Sequence, residues 1–296
     1  MDQSPDPGPQ AGLYDPRDER DCCGFGLIAQ LDDRASRALV DRAIDALSRM
    51  THRGGIAADG LSGDGCGLLI RHPDTFLRTL ANEAGIPLGA HYAAGLVFLP
   101  HDEEQAAHAR QTTAEALAEE RIAVAGWRTV PVDAEACGEL ARRTMPRIEQ
   151  VFVVPTFAFD AATFQRSLFL ARRRAEQRLR DDASFDSLDF YVVSLSAASI
   201  GYKGMVLPER LAQLYPDLRR DDLHSSAVVF HQRFSTNTTP RWPLAQPFRL
   251  LAHNGEINTI AGNRAWAQAR AHVWRTPSLD LREFDPVIAT DGSDSQ

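Results

Sequence analysis

Cysteine is sparse in this chain: four in 296 residues, at 22, 23, 66 and 137. Cys22 and Cys23 are adjacent, which suits no ordinary structural disulfide. None of the four has Cys-x-x-Cys spacing, so the sequence shows neither a disulfide framework nor a paired-cysteine metal site. Long apolar runs are missing as well, and none reaches the roughly 18 residues that a membrane span needs. Positive charge is not in excess: 32 Lys and Arg stand against 40 Asp and Glu, a net charge of −8. That balance argues against nucleic acid or an anionic membrane surface as the main partner. No Gly-x-Gly-x-x-Gly sits between a strand and a helix, so a dinucleotide fold lacks its fingerprint. There is no internal repeat. The first twenty residues hold no apolar stretch and form no secretory signal, which makes the cytoplasm the expected location.

What is present is ordinary globular composition, 44% hydrophobic and 24% charged, in a chain long enough for a sizeable core. Residues 1–21 read as a flexible leader, rich in proline and in charges such as Asp15, Arg17, Asp18 and Glu19. Regular patterning starts at Gly24. Strands are expected at 24–30, 65–71, 93–99, 122–132, 148–154, 188–196, 227–234 and 248–253. Helices are expected at 36–50, 103–121, 135–145, 161–180 and 258–274. Val40, Ile44 and Leu47 share one face of the first helix. In the long helix after 161, Phe164, Leu168 and Phe169 are expected inward and Arg172 to Arg174 mostly outward. The helix from Glu103 is polar enough to be expected exposed. Strands and helices mix without a βαβ rhythm, which favours a layered α+β fold. The chain stops in the polar stretch Asp291 to Gln296 with no closing element, so a truncated domain is expected.

Three clusters carry chemistry. Cys23 stands where the leader meets the first strand, followed by Gly24 and Gly26. If the chain began at Cys23, the freed α-amino group would lie on the same residue as the nucleophilic sulfur and serve as its base. The alternative is a small buried residue opening a strand. The second cluster, Arg233-Phe234-Ser235-Thr236-Asn237-Thr238, follows a strand and offers a planar guanidinium with short polar donors, as a carboxylate site requires. It also reads as a polar turn before Pro240. The third is His253-Asn254-Gly255-Glu256-Ile257-Asn258. Asn-Gly between apolar flanks is a hairpin signal; it is also a pair of donors, side-chain amide and backbone N–H, for an oxyanion. Three further segments, His52-Arg53-Gly54, Gly63 to Gly67 and Tyr202-Lys203-Gly204-Met205, each favour a structural reading when taken alone. Cys66 and Cys137 read as core residues.

These segments occur in one order, together with Gly55, Trp242, Ala245-Gln246-Pro247-Phe248, Gly262-Asn263 and Ser293-Asp294-Ser295. The set closely resembles the amino-terminal glutaminase domain of glutamate synthase large subunits, a class II glutamine amidotransferase, from about residue 18 to the end. The resemblance implies an N-terminal-nucleophile hydrolase fold, an α+β four-layer αββα sandwich, here incomplete at its C-terminus. It divides the chain into a propeptide, 1–22, and an amidotransferase domain, 23–296. It implies that Cys23 attacks the side-chain amide of L-glutamine, that Asn254 and Gly255 hold the oxyanion, and that Arg233 pairs with the α-carboxylate assisted by Thr236 and Asn237. Asp294 would bind the α-ammonium and Arg53 would help to shape the site. Cys-Gly-x-Gly fits Cys23 and not Cys22 as the first residue. The resemblance further implies no cofactor or metal in this segment, FMN and an iron–sulfur cluster in downstream domains, and ammonia delivery to 2-oxoglutarate there. The implied partners are those synthase domains in cis and a small or electron-donating subunit. The alternatives are another class II amidotransferase, feeding a sugar phosphate, a phosphoribosyl group or aspartate, and a truncated, non-catalytic remnant.

Overall fold

The first regular element is a short strand, β1 (Phe25–Ala29), and the chain turns from it into helix α1 (Arg37–Ser48). A computed structural model of the chain describes residues 24–186, 190–234, 238–250, 260–276, 280–284 and 287–288. Ser36 starts α1: its hydroxyl accepts the Leu39 N–H at 3.2 Å, satisfying one of the helix's free donors. Leu39, Val40, Ala43 and Leu47 form its buried face, while Ile44 is only partly covered. The succeeding elements are β2 (Ser62–Arg71), α2 (Asp74–Glu83), β3 (Ala93–Leu99), α3 (Glu103–Glu119), β4 (Ile122–Thr129), α4 (Glu139–Arg143) and β5 (Arg147–Pro155). Then come α5 (Ala161–Asp181), β6 (Tyr191–Val192), β7 (Ser199–Val206), α6 (Leu211–Leu214), β8 (Ala227–Gln232) and α7 (Ile260–Arg270).

The strands make two antiparallel sheets, ordered β1-β8-β2-β7 and β4-β5-β3-β6. The α+β expectation holds. In the first sheet Phe25 lies opposite His231, Gly67 opposite both His231 and Lys203, and Leu68 opposite Phe230 and Tyr202. Leu68, Ile70, Tyr202, Val228 and Phe230 of this sheet share one buried cluster with Leu96, Phe98 and Phe152 of the second, joined by the buried faces of α1 and α2. The other face of the second sheet, with Val97, Val151 and Val153, is covered by Ala106, Ala109 and Leu117 of α3 and Leu168, Ala171 and Ala175 of α5. On β1, the outermost strand of the first sheet among the described residues, Phe25 is 46% and Leu27 62% exposed.

Several expectations are corrected. Ser199–Val206 is a full strand that pattern alone did not single out, because Gly201, Lys203 and Gly204 break its apolar alternation. Of the described residues 190–196, Tyr191–Val192 joins the β3 ladder and Ser196 makes an isolated bridge to Ala94, while 188–189 lie outside the described residues. The N–H groups of Val193 and Ser194 both turn to the Leu96 carbonyl and the chain leaves register. Phe248 to Leu250 is not strand: Phe248 packs on the Lys203 side chain and the Arg249 guanidinium donates to the Val192 carbonyl. The rest of that expected strand, and 258–259 of the last helix, lie outside the described residues. The buried stripe of α5 runs through Phe164, Leu168, Ala171, Arg172, Ala175 and Leu179, so Phe169 falls off it and is exposed. Arg172 is buried, paired with Glu176 at 2.7 Å. Helix α3 is exposed on one side only, since its alanines and threonines let it lie close against α5.

Candidate active site

The β1–β8 ladder brings two of the sequence clusters together. Gly24, the residue after Cys23, is buried, and its carbonyl accepts the Gln232 N–H at 2.5 Å. Arg233 comes next on the partner strand. Its own N–H donates to the Gly65 carbonyl at 2.8 Å, so Arg233 is seated between β1 and the bulged start of β2. The side chain is 4% exposed; its Nη2 donates to Thr238 Oγ1 at 2.5 Å and its Nη1 to the Asp64 carbonyl at 3.4 Å.

The His52-Arg53-Gly54-Gly55 segment closes the same corner. Arg53 ends a 3-10 turn, Thr51–Arg53, and its Cβ lies 3.4 Å from where a Cβ on Gly24 would stand. Gly54 has no room for a side chain: a Cβ there would lie 1.6 Å from Gln232 Nε2. At Gly55 it would lie 2.4 Å from Asp64 Oδ2, and the Asp64 N–H donates to the Gly55 carbonyl at 3.2 Å. Both glycines are therefore close-approach positions that let the turn lie against β8 and β2. Of the residues singled out from sequence, Arg53 and Arg233 are brought to this corner. Cys23, Thr236, Asn237, Asn254, Gly255 and Asp294 lie outside the described residues.

Three polar residues line the same region, two of them, His231 and Gln232, passed over in the sequence and the third, Lys203, given there a structural reading. His231 and Gln232 are 0% and 1% exposed, and Lys203 is 1% exposed. The Lys203 ammonium donates to the Pro243 and Ala245 carbonyls, both at 2.7 Å, with the rings of Tyr191 and Phe248 beside it. Burial, and then the neighbouring Arg249 and Arg233, push its pKa well below the usual lysine range. The sequence signal for His231 and Gln232 was polar type inside a strand-like run, and for Lys203 the Tyr202-Lys203-Gly204-Met205 segment. A buried guanidinium in a low-dielectric setting suits a negatively charged group.

The internal thiols are poor nucleophiles. Cys66 is fully buried, its Sγ donates to the Val206 carbonyl at 3.2 Å, and burial raises its pKa well above the ordinary value. Burial also pushes Cys137 up to about 11. Neither supplies thiolate at neutral pH. Among the described residues, no three or more His, Cys, Asp or Glu side chains gather to hold a metal ion. Nor is any helix among them long and apolar enough to cross a membrane.

The model of the family "Glutamine amidotransferases class-II" matches residues 23–296. The chain belongs to the class-II glutamine amidotransferases. The match begins at Cys23, the residue whose neighbour Gly24 is laced to β8 beside Arg233. Among curated proteins, this class-II amidotransferase chain is 40% identical over 292 residues to the glutamate synthase [NADPH] large chain of Azospirillum brasilense, covering 96% of this chain and 19% of that protein. It is 41% identical over 290 residues to the chloroplastic ferredoxin-dependent glutamate synthase of Oryza sativa subsp. japonica, covering 96% and 18%. To the glutamate synthase [NADPH] large chain of Bacillus subtilis it is 38% identical over 287 residues, covering 96% and 19%. The chain thus spans about a fifth of the length of the curated relatives it matches.

Proposed function

We propose that this segment is the glutamine-hydrolysing part of a glutamate synthase, and that it works as an N-terminal-nucleophile hydrolase once residues 1–22 are removed. The observation that carries the reading is the lacing of Gly24 to Gln232 next to the buried, hydrogen-bonded Arg233. A nucleophile one residue before Gly24 and a guanidinium one residue after Gln232 are the two ends of a glutamine site: attack on the amide and capture of the α-carboxylate.

In this mechanism the α-amino group freed on Cys23 takes the thiol proton, and Sγ attacks the glutamine side-chain carbonyl carbon. Asn254 and the Gly255 N–H stabilise the resulting oxyanion. The α-ammonium returns the proton to the leaving nitrogen, the C–N bond breaks, and ammonia departs from a glutamyl thioester. Water, deprotonated by the same amine, attacks the thioester; the C–S bond breaks and glutamate and the thiol are restored. Arg233, with Thr236 and Asn237, holds the substrate α-carboxylate, Asp294 holds the α-ammonium, and Arg53 shapes the corner against Gly24.

The four-layer sandwich belongs to the same reading. The bare Phe25 and Leu27 on β1 support it, because an apolar sheet face of that kind is one that further chain covers. So does the length of the relatives. Ammonia passes to 2-oxoglutarate in synthase domains downstream, which would carry FMN and an iron–sulfur cluster and work with an electron-donating subunit in the cytoplasm. The test is glutamate release from L-glutamine by the full-length protein. Release is expected, with its complete loss in Cys23→Ala; full activity in that variant overturns the mechanism.

A further inference from the structure

Lys203 has no part in the chemistry above, yet it is set with care. It projects from β7 in the first sheet, in line with Gly67, His231 and Phe25 on the neighbouring strands. Taking an ammonium out of water is costly unless its hydrogen bonds are replaced. Among the described residues, the charged groups that act on it are Arg249 and Arg233, both of its own sign. Methionine would fill similar space without that cost. What the amine adds is two N–H donors aimed at carbonyls two residues apart, Pro243 and Ala245, each at 2.7 Å. The walls of the slot are aromatic, with the Tyr191 ring centre at 4.4 Å and that of Phe248 at 4.9 Å.

The pinned segment lies directly against the support of Arg233. Gly65 has φ of 118°, a conformation that favours glycine, and a Cβ there would lie 2.6 Å from the Ala245 Cβ. A Cβ on Gly67 would lie 2.8 Å from the Gln246 carbonyl oxygen. The Gly65 carbonyl in turn receives the Arg233 N–H, and the adjacent Asp64 carbonyl receives Nη1. A shift of the 243–246 backbone therefore moves the peptide on which Arg233 rests.

We propose that Lys203 is a positioning residue for substrate binding: by fixing the Pro243 and Ala245 carbonyls it holds the Gly65 peptide, and so the Arg233 guanidinium, where the α-carboxylate of glutamine is received. The inference rests on the amidotransferase reading of Arg233 given above. It predicts an effect on binding more than on chemistry, because the carboxylate is remote from the reacting amide.

The experiment is steady-state glutamate release by the full-length protein and its Lys203→Met, Lys203→Arg and Tyr215→Phe variants. Lys203→Met is expected to raise KM for glutamine about tenfold or more while kcat stays within about threefold. Lys203→Arg, which keeps N–H donors, is expected to recover part of KM. Tyr215→Phe removes a hydroxyl that donates to the Lys203 carbonyl at 2.8 Å, disturbing the same strand without touching the amine; it is expected to lower thermal stability and leave KM unchanged. An unchanged KM in Lys203→Met overturns the proposal, as does a fall in kcat at constant KM or an equal KM rise in Tyr215→Phe. Should Lys203→Met not fold, Phe248→Leu removes one wall of the slot and must show the same rise in KM; an unchanged KM there is equally fatal. A wild type that releases no glutamate refutes the amidotransferase reading and this inference with it. An active wild type with unaltered KM in the variants refutes this inference alone.

Discussion

Replacing Gly54 with alanine puts a methyl group where the Gln232 side chain already lies, 1.6 Å from Nε2, 2.5 Å from Cδ and 2.9 Å from Cγ. Gly54 has φ −125° and ψ 158°, which alanine adopts freely, so backbone strain contributes nothing and the effect is steric. Gln232 is 1% exposed and its Nε2 donates to the Arg233 carbonyl at 3.3 Å, so it has little room to yield and loses that bond if it does. Overpacking of this kind costs about 1–3 kcal/mol. The lost hydrogen bond adds about 1 kcal/mol, for a total of about 2–4. Gln232→Ala alone, which opens a small gap, should cost about 1–2 kcal/mol. In the double variant the methyl has space, so the cost should stay near that of Gln232→Ala and leave a coupling of about 2 kcal/mol or more. Amide hydrogen exchange on β8 and the 51–55 turn in the full-length protein reads these local opening energies. Gly54→Ala should speed exchange there about 30- to 900-fold, and the double variant should cut this to about 5- to 30-fold. Additive losses in the double variant would refute the close-packing account of this corner.

Other expectations are quickly stated. Asp217 is buried and holds the partly buried Arg128 through two bonds of 2.7 and 2.8 Å, so Asp217→Asn should cost about 1.5–3 kcal/mol by weakening charge-assisted hydrogen bonds, measurable as loss of exchange protection in β4. Asp59 accepts from the Ser62 hydroxyl and N–H and from the Leu140 N–H, which holds its pKa below the ordinary 3.8. Its contribution is thus full above that ordinary value and lost as pH falls toward the depressed one. Asp59→Asn should accordingly flatten the acid limb of a thermal-stability profile below about pH 4, and an unchanged limb counts against the assignment. Cys66 and Cys137, both buried with raised pKa values, should resist alkylation at neutral pH in the folded protein, while Cys23 reacts. Peptide mass spectrometry checks this, and rapid labelling of Cys66 would contradict its burial.

Much of the scaffold was legible because burial follows simple periods. Phe25–Ala29, Ala93–Leu99 and Arg147–Pro155 carry apolar or β-branched runs of strand length, and α1 repeats Val40 and Leu47 on one face. Ser199–Val206 was not legible, since two glycines and a lysine disguise a strand whose burial comes from its neighbours and not from its own pattern. The inward set of α5 was misjudged for a related reason: a helix seated between a sheet and a second helix buries a stripe that includes an arginine with its own carboxylate. At the site, the His52-Arg53-Gly54-Gly55 segment and a strand-end arginine singled out Arg53 and Arg233, and the structure brings both to one corner. His231 and Gln232 were passed over, and Lys203 was read as structural only, because the burial of a polar side chain shows through its tertiary partners and not through its own pattern. The need for Gly54 is equally invisible in sequence, being set by a side chain 178 positions away, Gln232.

In the proposed mechanism Cys23, as the first residue of the processed chain, attacks glutamine beside Arg233. The most direct measurement is mass spectrometry of the full-length protein purified after expression, before and after treatment with an electrophilic glutamine analogue. The mature amino terminus should be Cys23, and the analogue should modify that cysteine stoichiometrically, with protection by glutamine. An active protein that retains residues 1–22, or that is modified at another residue, would contradict the account.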